Sequence, residues 1–378
     1  MDLAQDDAQR AFRDELRAFL DAALGTEISD DFEGQRAWQR LLYASRWVAP
    51  HWPAQYGGRD ASIEQFAIYI EELARARAPQ FANRVGVQTA GPVLLAHGSH
   101  EQRERYLTRI ASADDIWCQL YSEPGAGSDL TNLRTAARLE GDTWRVTGQK
   151  VWTSYGAQAD FGLLLARTEV GVAPHLGISC FVCDLRAPGV DARPLRTMTG
   201  ESEFAEVFLD DVALPPDALI GERGAGWEIG NTGLASERGV AFPLKEQAAL
   251  QIMLDELLDR VRRDEVVPTP LQRDRIAQDI VNLHVLRLMN LKTVSQLSAG
   301  SELGTWASLI KLTWEQAAQH LGDTLFETTG PADPMDEDGR ATAMLRYRMA
   351  SLVGGTTQIQ RNILSERRLG LPREPRRT

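Results

Sequence analysis

The chain has 378 residues, with 41 Lys and Arg against 53 Asp and Glu, a formal net charge of −12 and a hydrophobic share of 43%. That length predicts two or three domains, with enough core to need no disulfide or metal staple. The acidic balance argues against a nucleic-acid binder and a polybasic membrane anchor, since both need a basic surface.

The N-terminal segment, Met1-Asp-Leu-Ala-Gln-Asp-Asp, is polar and lacks the apolar run of a secretory signal. From there to about residue 115 the pattern is helical. Phe12, Leu16, Phe19 and Leu20 recur at helical spacing, as do Ile63, Phe66, Ile70 and Leu73. Ser62-Ile-Glu-Gln65 and Ser99-His-Glu-Gln102 read as capping boxes at two helix starts.

Residues 116–225 change character. Trp117–Tyr121 reads as a strand, and Phe161–Ala166 is a short apolar run expected of a strand buried on both faces. Trp144 and Val146 alternate with polar neighbours, as do Ala205, Val207 and Leu209 with Glu206 and Phe208 between them. Turns recur at Pro124-Gly125, Glu140-Gly-Asp142, Pro188-Gly189 and Pro215-Pro216. Short strands at such spacing predict an antiparallel barrel or sandwich.

Residues 226–378 are helical again. Leu250, Met253, Leu254, Leu257, Leu258 and Val261 form one apolar stripe, and Ile276, Ile280, Leu283 and Leu286 a second. A third runs through Leu303, Trp306, Ile310, Ala317, Leu321 and Leu325, and a last helix is expected to start at Thr356 or Thr357. The reading is therefore an α+β multidomain chain: an N-terminal helical domain (1–115), a central antiparallel β-barrel or sandwich (116–225) and a C-terminal four-helix-type bundle (226–378).

Several motifs carry no chemistry on inspection. Cys180-Phe-Val-Cys183 lies in an apolar strand, where positions i and i+3 face opposite ways, so the pair cannot chelate one metal. With Cys118 it makes three cysteines, a number that fits a reducing cytoplasm better than a disulfide framework. The six histidines are scattered without metal-ligand spacing, and no Gly-x-Ser-x-Gly elbow occurs, so no metal site and no serine hydrolase are expected. Gly221-Glu-Arg-Gly-Ala-Gly226 lacks the strand–turn–helix context of a dinucleotide fingerprint and reads as a loop entering a helix. No run of about 18 apolar residues is present, so no membrane span is expected.

Ser122-Glu-Pro-Gly-Ala-Gly-Ser-Asp129 is more informative. Its glycines, proline and hydroxyls make a tight turn at a strand end, with exposed amides able to hold a phosphate or a polar ring edge. With Thr147-Gly-Gln-Lys-Val-Trp-Thr-Ser154, Gly354-Gly-Thr-Thr-Gln-Ile-Gln-Arg361 and Arg368-Leu-Gly-Leu-Pro-Arg373 following in order, the chain resembles the acyl-CoA dehydrogenase family over nearly its whole length.

That resemblance implies non-covalently bound FAD and α,β-desaturation of an acyl-CoA thioester. A carboxylate takes the α-proton while the β-hydrogen leaves as hydride, and electrons pass to an electron-transfer flavoprotein. Carried over by motif, Gln119, Tyr121, Ser122, Gly127 and Ser128 would line the flavin, with Ser128 also on the CoA side. Trp152, Thr153 and Ser154 would meet the flavin from the second motif, and Thr356 and Gln358 from the last.

The family's commonest base is a Glu immediately before Gly-Thr in the last motif, but Gly354 stands there. Some relatives carry the Glu on an earlier helix beside an Arg, and Ser236-Glu237-Arg238 matches that place. The resemblance thus implies Glu237 as base, Arg238 beside the substrate, and the Gly354 amide as a donor to the thioester carbonyl. A glycine there also leaves room for branched or ring-bearing acyl groups. The Arg-x-x-Phe-Gly motif by which relatives grip FAD from a neighbouring subunit is missing from Val261–Pro270, and Asp323–Gly330 only blurs Gln-x-x-Gly-Gly. Those departures keep homo- and hetero-oligomers, dimer or tetramer, open. They also leave two rival readings: a helper subunit without chemistry, and a flavin oxidase or monooxygenase.

Overall fold

The structure is a computed structural model that describes residues 6–25, 28–29, 31–237, 239–329 and 340–373, with the backbone alone at Glu237, Arg340 and Ala341. In chain order the helices are α1 (Asp7–Ala23), α2 (Phe32–Ala44), α3 (Ile63–Arg75), α4 (Gly91–His97) and α5 (His100–Ser112). The strands follow: β1 (Trp117–Leu120), β2 (Ala136–Glu140), β3 (Thr143–Ser154), β4 (Phe161–Arg167), β5 (Ile178–Asp184), β6 (Val190–Leu195), β7 (Phe204–Leu214) and β8 (Leu219–Ile220). Then come α6 (Gly226–Glu237), α7 (Ala241–Arg262), α8 (Pro270–Ser298), α9 (Trp306–Thr329), α10 (Arg340–Arg348) and α11 (Thr357–Ile363). Both expected capping boxes are present, Ser62 with Gln65 and Ser99 with Gln102. Thr269 with Gln272 forms a third, at the start of α8.

Contacts divide the chain into two compact units. One comprises Ala22–Ala61 and Pro79–Glu237, the other Met1–Asp21, Ser62–Ala78 and Arg238–Thr378.

The first unit is built on the sheet. Its strand order is β6-β7-β3-β2-β4-β5-β8, with β1 branching off β4. The expected strand-built central domain is present, with two departures from an antiparallel barrel or sandwich: the sheet is not a closed barrel, and it is not wholly antiparallel. The path stays open, running from β6 at one end to β8 at the other. And β1 pairs with β4 in parallel, Trp117 opposite Phe161, as β2 does at Ala136–Arg167. Turn signals announce hairpins such as β2–β3, but parallel partners are joined by long connections that leave no local mark. The burial of β4 is as expected: only Arg167 at its end is not buried, and its two edges pair with β1 and β5. Its core joins Cys118, Leu120, Leu164, Phe181, Cys183, Val207 and Leu209. Burial pushes the Cys180 and Cys183 thiols up to about 12, which leaves them inert packing groups.

The second unit is helical. The stripes of α7, α8 and α9 meet in one core through Leu250, Leu254, Leu257, Ile276, Leu283, Leu286, Trp314, Leu321 and Leu325. Each such side chain contributes roughly 1.5–3 kcal/mol on burial. α1 docks on α3 through Glu72, which is buried and paired with Arg17 of α1 at 2.8 Å and with Arg75 of its own helix at 2.7 Å.

Candidate active site

In the sheet unit, β1 delivers the chain into Ser122–Asp129. Glu123 and Ala126 exchange backbone hydrogen bonds of 3.0 and 3.1 Å, which closes a four-residue turn. The Glu123 carboxylate then accepts from the amides of Arg134 (2.6 Å) and Thr135 (2.9 Å), tying the far end of the loop back to its start. Lys150 Nζ, on β3, donates to Glu123 Oε1 (2.9 Å), Tyr121 O (3.1 Å) and Leu165 O (2.8 Å). Burial lowers Lys150 to about 8 despite the Glu123 charge. Burial alone would raise Glu123, yet the lysine and the amides outweigh it and hold this carboxyl below the usual range. Neither residue stands out in sequence. Glu123 lies inside the motif and Lys150 on an alternating strand, and only the fold shows that they meet.

The two motifs at 122–129 and 147–154 run side by side. Val151 N donates to Ser122 O at 2.9 Å. Directly afterwards the β3–β7 pairing slips between Lys150 and Thr153, and Trp152 takes a left-handed φ of +59°. An aromatic residue in that conformation is strained by about 1–3 kcal/mol, and such strain gathers at working sites. The bulge turns the Trp152 ring outward, 62% exposed, in a T-shaped pair with Phe204 whose centroids are 6.0 Å apart. Thr153 Oγ1 and Gln119 Nε2 are buried side-chain atoms without a hydrogen-bond partner among the described residues. Each unsatisfied buried donor costs about 1–3 kcal/mol. Gly125 and Gly127 are exposed, with nothing within 4 Å of an added Cβ. Ser128 is exposed, and Ser154 is partly buried. Unpaired donors, an outward ring and side-chain-free turns fit a planar heterocycle edged with nitrogen and carbonyl acceptors, as an isoalloxazine is.

Helix α6 packs against this motif by a glycine register. A Cβ at Gly226 would lie 2.5 Å from the Ser179 backbone, one at Gly230 3.0 Å from Leu165 Cδ1, and one at Gly233 3.3 Å from Tyr121 Oη and 3.0 Å from Thr89. These positions advance by four and three residues, so they share one helix face. Position 237 continues that register by another four and is the last residue of α6. The Glu237 side chain and all of Arg238 lie outside the described residues.

In the helical unit, Gly354 (φ +63°) and Gly355 (φ +88°) form a left-handed turn before α11. Thr356 caps that helix by accepting from Ile359 N at 3.3 Å, and Gln358 is exposed. Thr357 Oγ1 donates to Glu315 Oε1 (2.6 Å), and Glu315 is ion-paired with Lys311, both buried. The space beside Gly354 is open, with nothing within 4 Å of an added Cβ. No group of three or more potential metal ligands occurs among the described residues.

Comparison with known proteins agrees along the whole chain. The family models of the acyl-CoA dehydrogenase N-terminal, middle and C-terminal domains match residues 6–114, 118–212 and 224–369. The chain is 36% identical to acyl-CoA dehydrogenase IpdE1 of Mycobacterium tuberculosis, covering 96% of this chain and 98% of that one. Among solved structures it is similar to the Tcur3481-Tcur3483 steroid ACAD (TM-score 0.88, 27% identity, 99% and 100% covered). It is also similar to a chain of the ChsE4-ChsE5 complex of Mycobacterium tuberculosis (TM-score 0.84, 30% identity, 99% and 100% covered). The chain belongs to the acyl-CoA dehydrogenase family, FAD-dependent oxidoreductases of lipid metabolism.

Proposed function

We propose that this protein desaturates an acyl-CoA thioester between Cα and Cβ, with Glu237 as the base. The observation that carries this reading is the register of α6, in which position 237 extends the glycine face that packs on Tyr121. The family's commonest site for the base is taken by Gly354, so the proton must go elsewhere.

Glu237 takes the α-proton, and Arg238 beside it favours the ionised form that a base needs. The Gly354 N–H donates to the thioester carbonyl, where negative charge develops as that proton leaves. Gln119 and Thr153 supply buried donors to the polar edge of the ring, with Tyr121, Ser122, Gly127, Ser128, Trp152, Ser154, Thr356 and Gln358 around it. FAD, when bound, supplies the acceptor for the β-hydride, chemistry that no side chain here performs. An electron-transfer flavoprotein then receives the electrons.

The open space at Gly354 supports a branched or ring-bearing acyl group, and so does the likeness to a protein described as a steroid ACAD. Ile280, Val281, Val285 and Leu288 give α8 an exposed apolar face, which supports a partner subunit. The likeness to a chain of the ChsE4-ChsE5 complex favours a partner of different sequence. Three matching family models support the division at 1–115, 116–225 and 226–378. Three free thiols support a reducing compartment such as the cytoplasm.

The test is anaerobic bleaching of the purified yellow protein by hexanoyl-CoA, isobutyryl-CoA and cyclohexanecarbonyl-CoA. The branched and ring-bearing thioesters are expected to bleach it faster. Faster bleaching by hexanoyl-CoA refutes the substrate class, and no bleaching by any thioester refutes desaturation.

A further inference from the structure

The Gly354-Gly355 turn is built from two residues with little conformational preference of their own. Both have left-handed φ, and neither has a Cβ to limit it. Such a turn holds one shape only if something outside it acts as a brace. Gln360, one turn into α11, is that brace. Its side chain is 0% exposed, and Nε2 donates to Gly354 O at 2.9 Å. The fit is close, since a Cβ on Gly355 would lie 2.5 Å from Nε2. Gln360 Oε1 is buried with no hydrogen-bond partner among the described residues. The base of the brace is fixed in turn. Gln360 N donates to Thr356 O at 2.9 Å, and the Thr357 hydroxyl is held by the buried Glu315 of α9.

We propose that Gln360 is a positioning residue, which orients the Gly354 amide for the thioester carbonyl by holding the next peptide plane. The two planes share the Gly354 Cα, so bracing one limits the swing of the other. This inference rests on the reading of the Gly354 N–H as carbonyl donor. Removing an oxyanion donor outright costs roughly 10²–10³ in rate, so loosening one is expected to cost about 10- to 100-fold.

The test uses the FAD-loaded protein, Gln360→Met and Gln360→Glu. The first readout is the carbonyl stretch of 13C-labelled cyclohex-1-enecarbonyl-CoA, which as desaturated product binds without turnover. Wild type is expected to shift this band to lower frequency, and Gln360→Met to lose half of the shift or more. With cyclohexanecarbonyl-CoA, kcat of Gln360→Met is expected to fall about 10- to 100-fold, with KM within about threefold and yellow colour retained. Gln360→Glu can donate only when protonated, so its kcat is expected to rise as pH falls, opposite to the wild-type trend. If Gln360→Met does not fold, the pH profile and band shift of Gln360→Glu decide. A shift present in wild type and unchanged in both variants overturns the role of Gln360. No shift in wild type instead overturns the role of Gly354.

Discussion

Lys150 and Glu123 form a 2.9 Å ion pair inside the sheet unit, with the lysine fully buried and the glutamate nearly so. The pair joins the end of β1, the glycine-rich loop and β4 at one point, because Lys150 also donates to Tyr121 O and Leu165 O. Removing one member of a buried pair typically costs about 3–5 kcal/mol, since the other is left charged and alone. Lys150→Met is expected to lose about 3 kcal/mol in denaturant unfolding and to shed FAD. The double variant Lys150→Met/Glu123→Gln should recover part of that stability. Acid should act on the same pair. Glu123 is held below its ordinary value of 4.5, so its contribution is complete above that pH and lost as pH falls through the folded value. The melting temperature should therefore drop on acidification, less steeply in the double variant. Losses in the double variant equal to the sum of the single ones would rule out the coupling.

Gly127 has room for a side chain and no left-handed backbone. Gly127→Val should leave the apoprotein within about 0.5 kcal/mol of wild type, as expected of a surface change. It should still raise the FAD dissociation constant at least tenfold, about 1.4 kcal/mol, because the ring and the new branches compete for the same space. Fluorescence titration of the apoprotein with FAD measures this. An unchanged constant would remove the loop from the cofactor site.

Gly226 is the opposite case. An added Cβ would meet the Ser179 backbone at 2.5 and 2.6 Å, where no side chain can move aside. Gly226→Ala should cost about 1–3 kcal/mol as overpacking. It should also push α6 away from the sheet, and a displacement near 1 Å at a catalytic group can cost about 10² in rate. Thermal melting and kcat on the same preparation check both. A variant with wild-type kcat and a lowered melting temperature would separate α6 from the chemistry.

Gly354→Glu meets no steric obstacle but must hold φ near +63°. The strain is about 1–2 kcal/mol, so the variant should fold with a modestly lowered melting temperature. Turnover of cyclohexanecarbonyl-CoA should fall much further than turnover of hexanoyl-CoA. An unchanged ratio between the two would detach Gly354 from substrate choice.

What could be read from the sequence follows the range of each interaction. The stripes of α7 and α9, that of α8 except Ile280, which is exposed, and the Ser62 and Ser99 caps are local, written within a few residues, and could be read directly. The Thr269–Gln272 cap at the start of α8 follows the same local rule. The β1–β4 pairing and the open sheet depend on partners distant in the chain, which periodicity does not encode. The site divides in the same way. Glycine-rich turns mark themselves, whereas Lys150 lies 27 residues from Glu123 and carries no local signal beyond being one of four lysines in the chain. Gln360 was visible only as part of a motif, because its bond to Gly354 requires the turn to fold back on α11.

If Glu237 takes the α-proton, Glu237→Gln must slow the chemistry without changing what binds. The amide keeps the shape of the side chain but cannot accept the proton. The variant is expected to purify yellow, to bind cyclohexanecarbonyl-CoA as wild type does, and to bleach about 10²- to 10⁴-fold more slowly. A Glu237→Gln protein that bleaches at the wild-type rate would show that another group takes the proton.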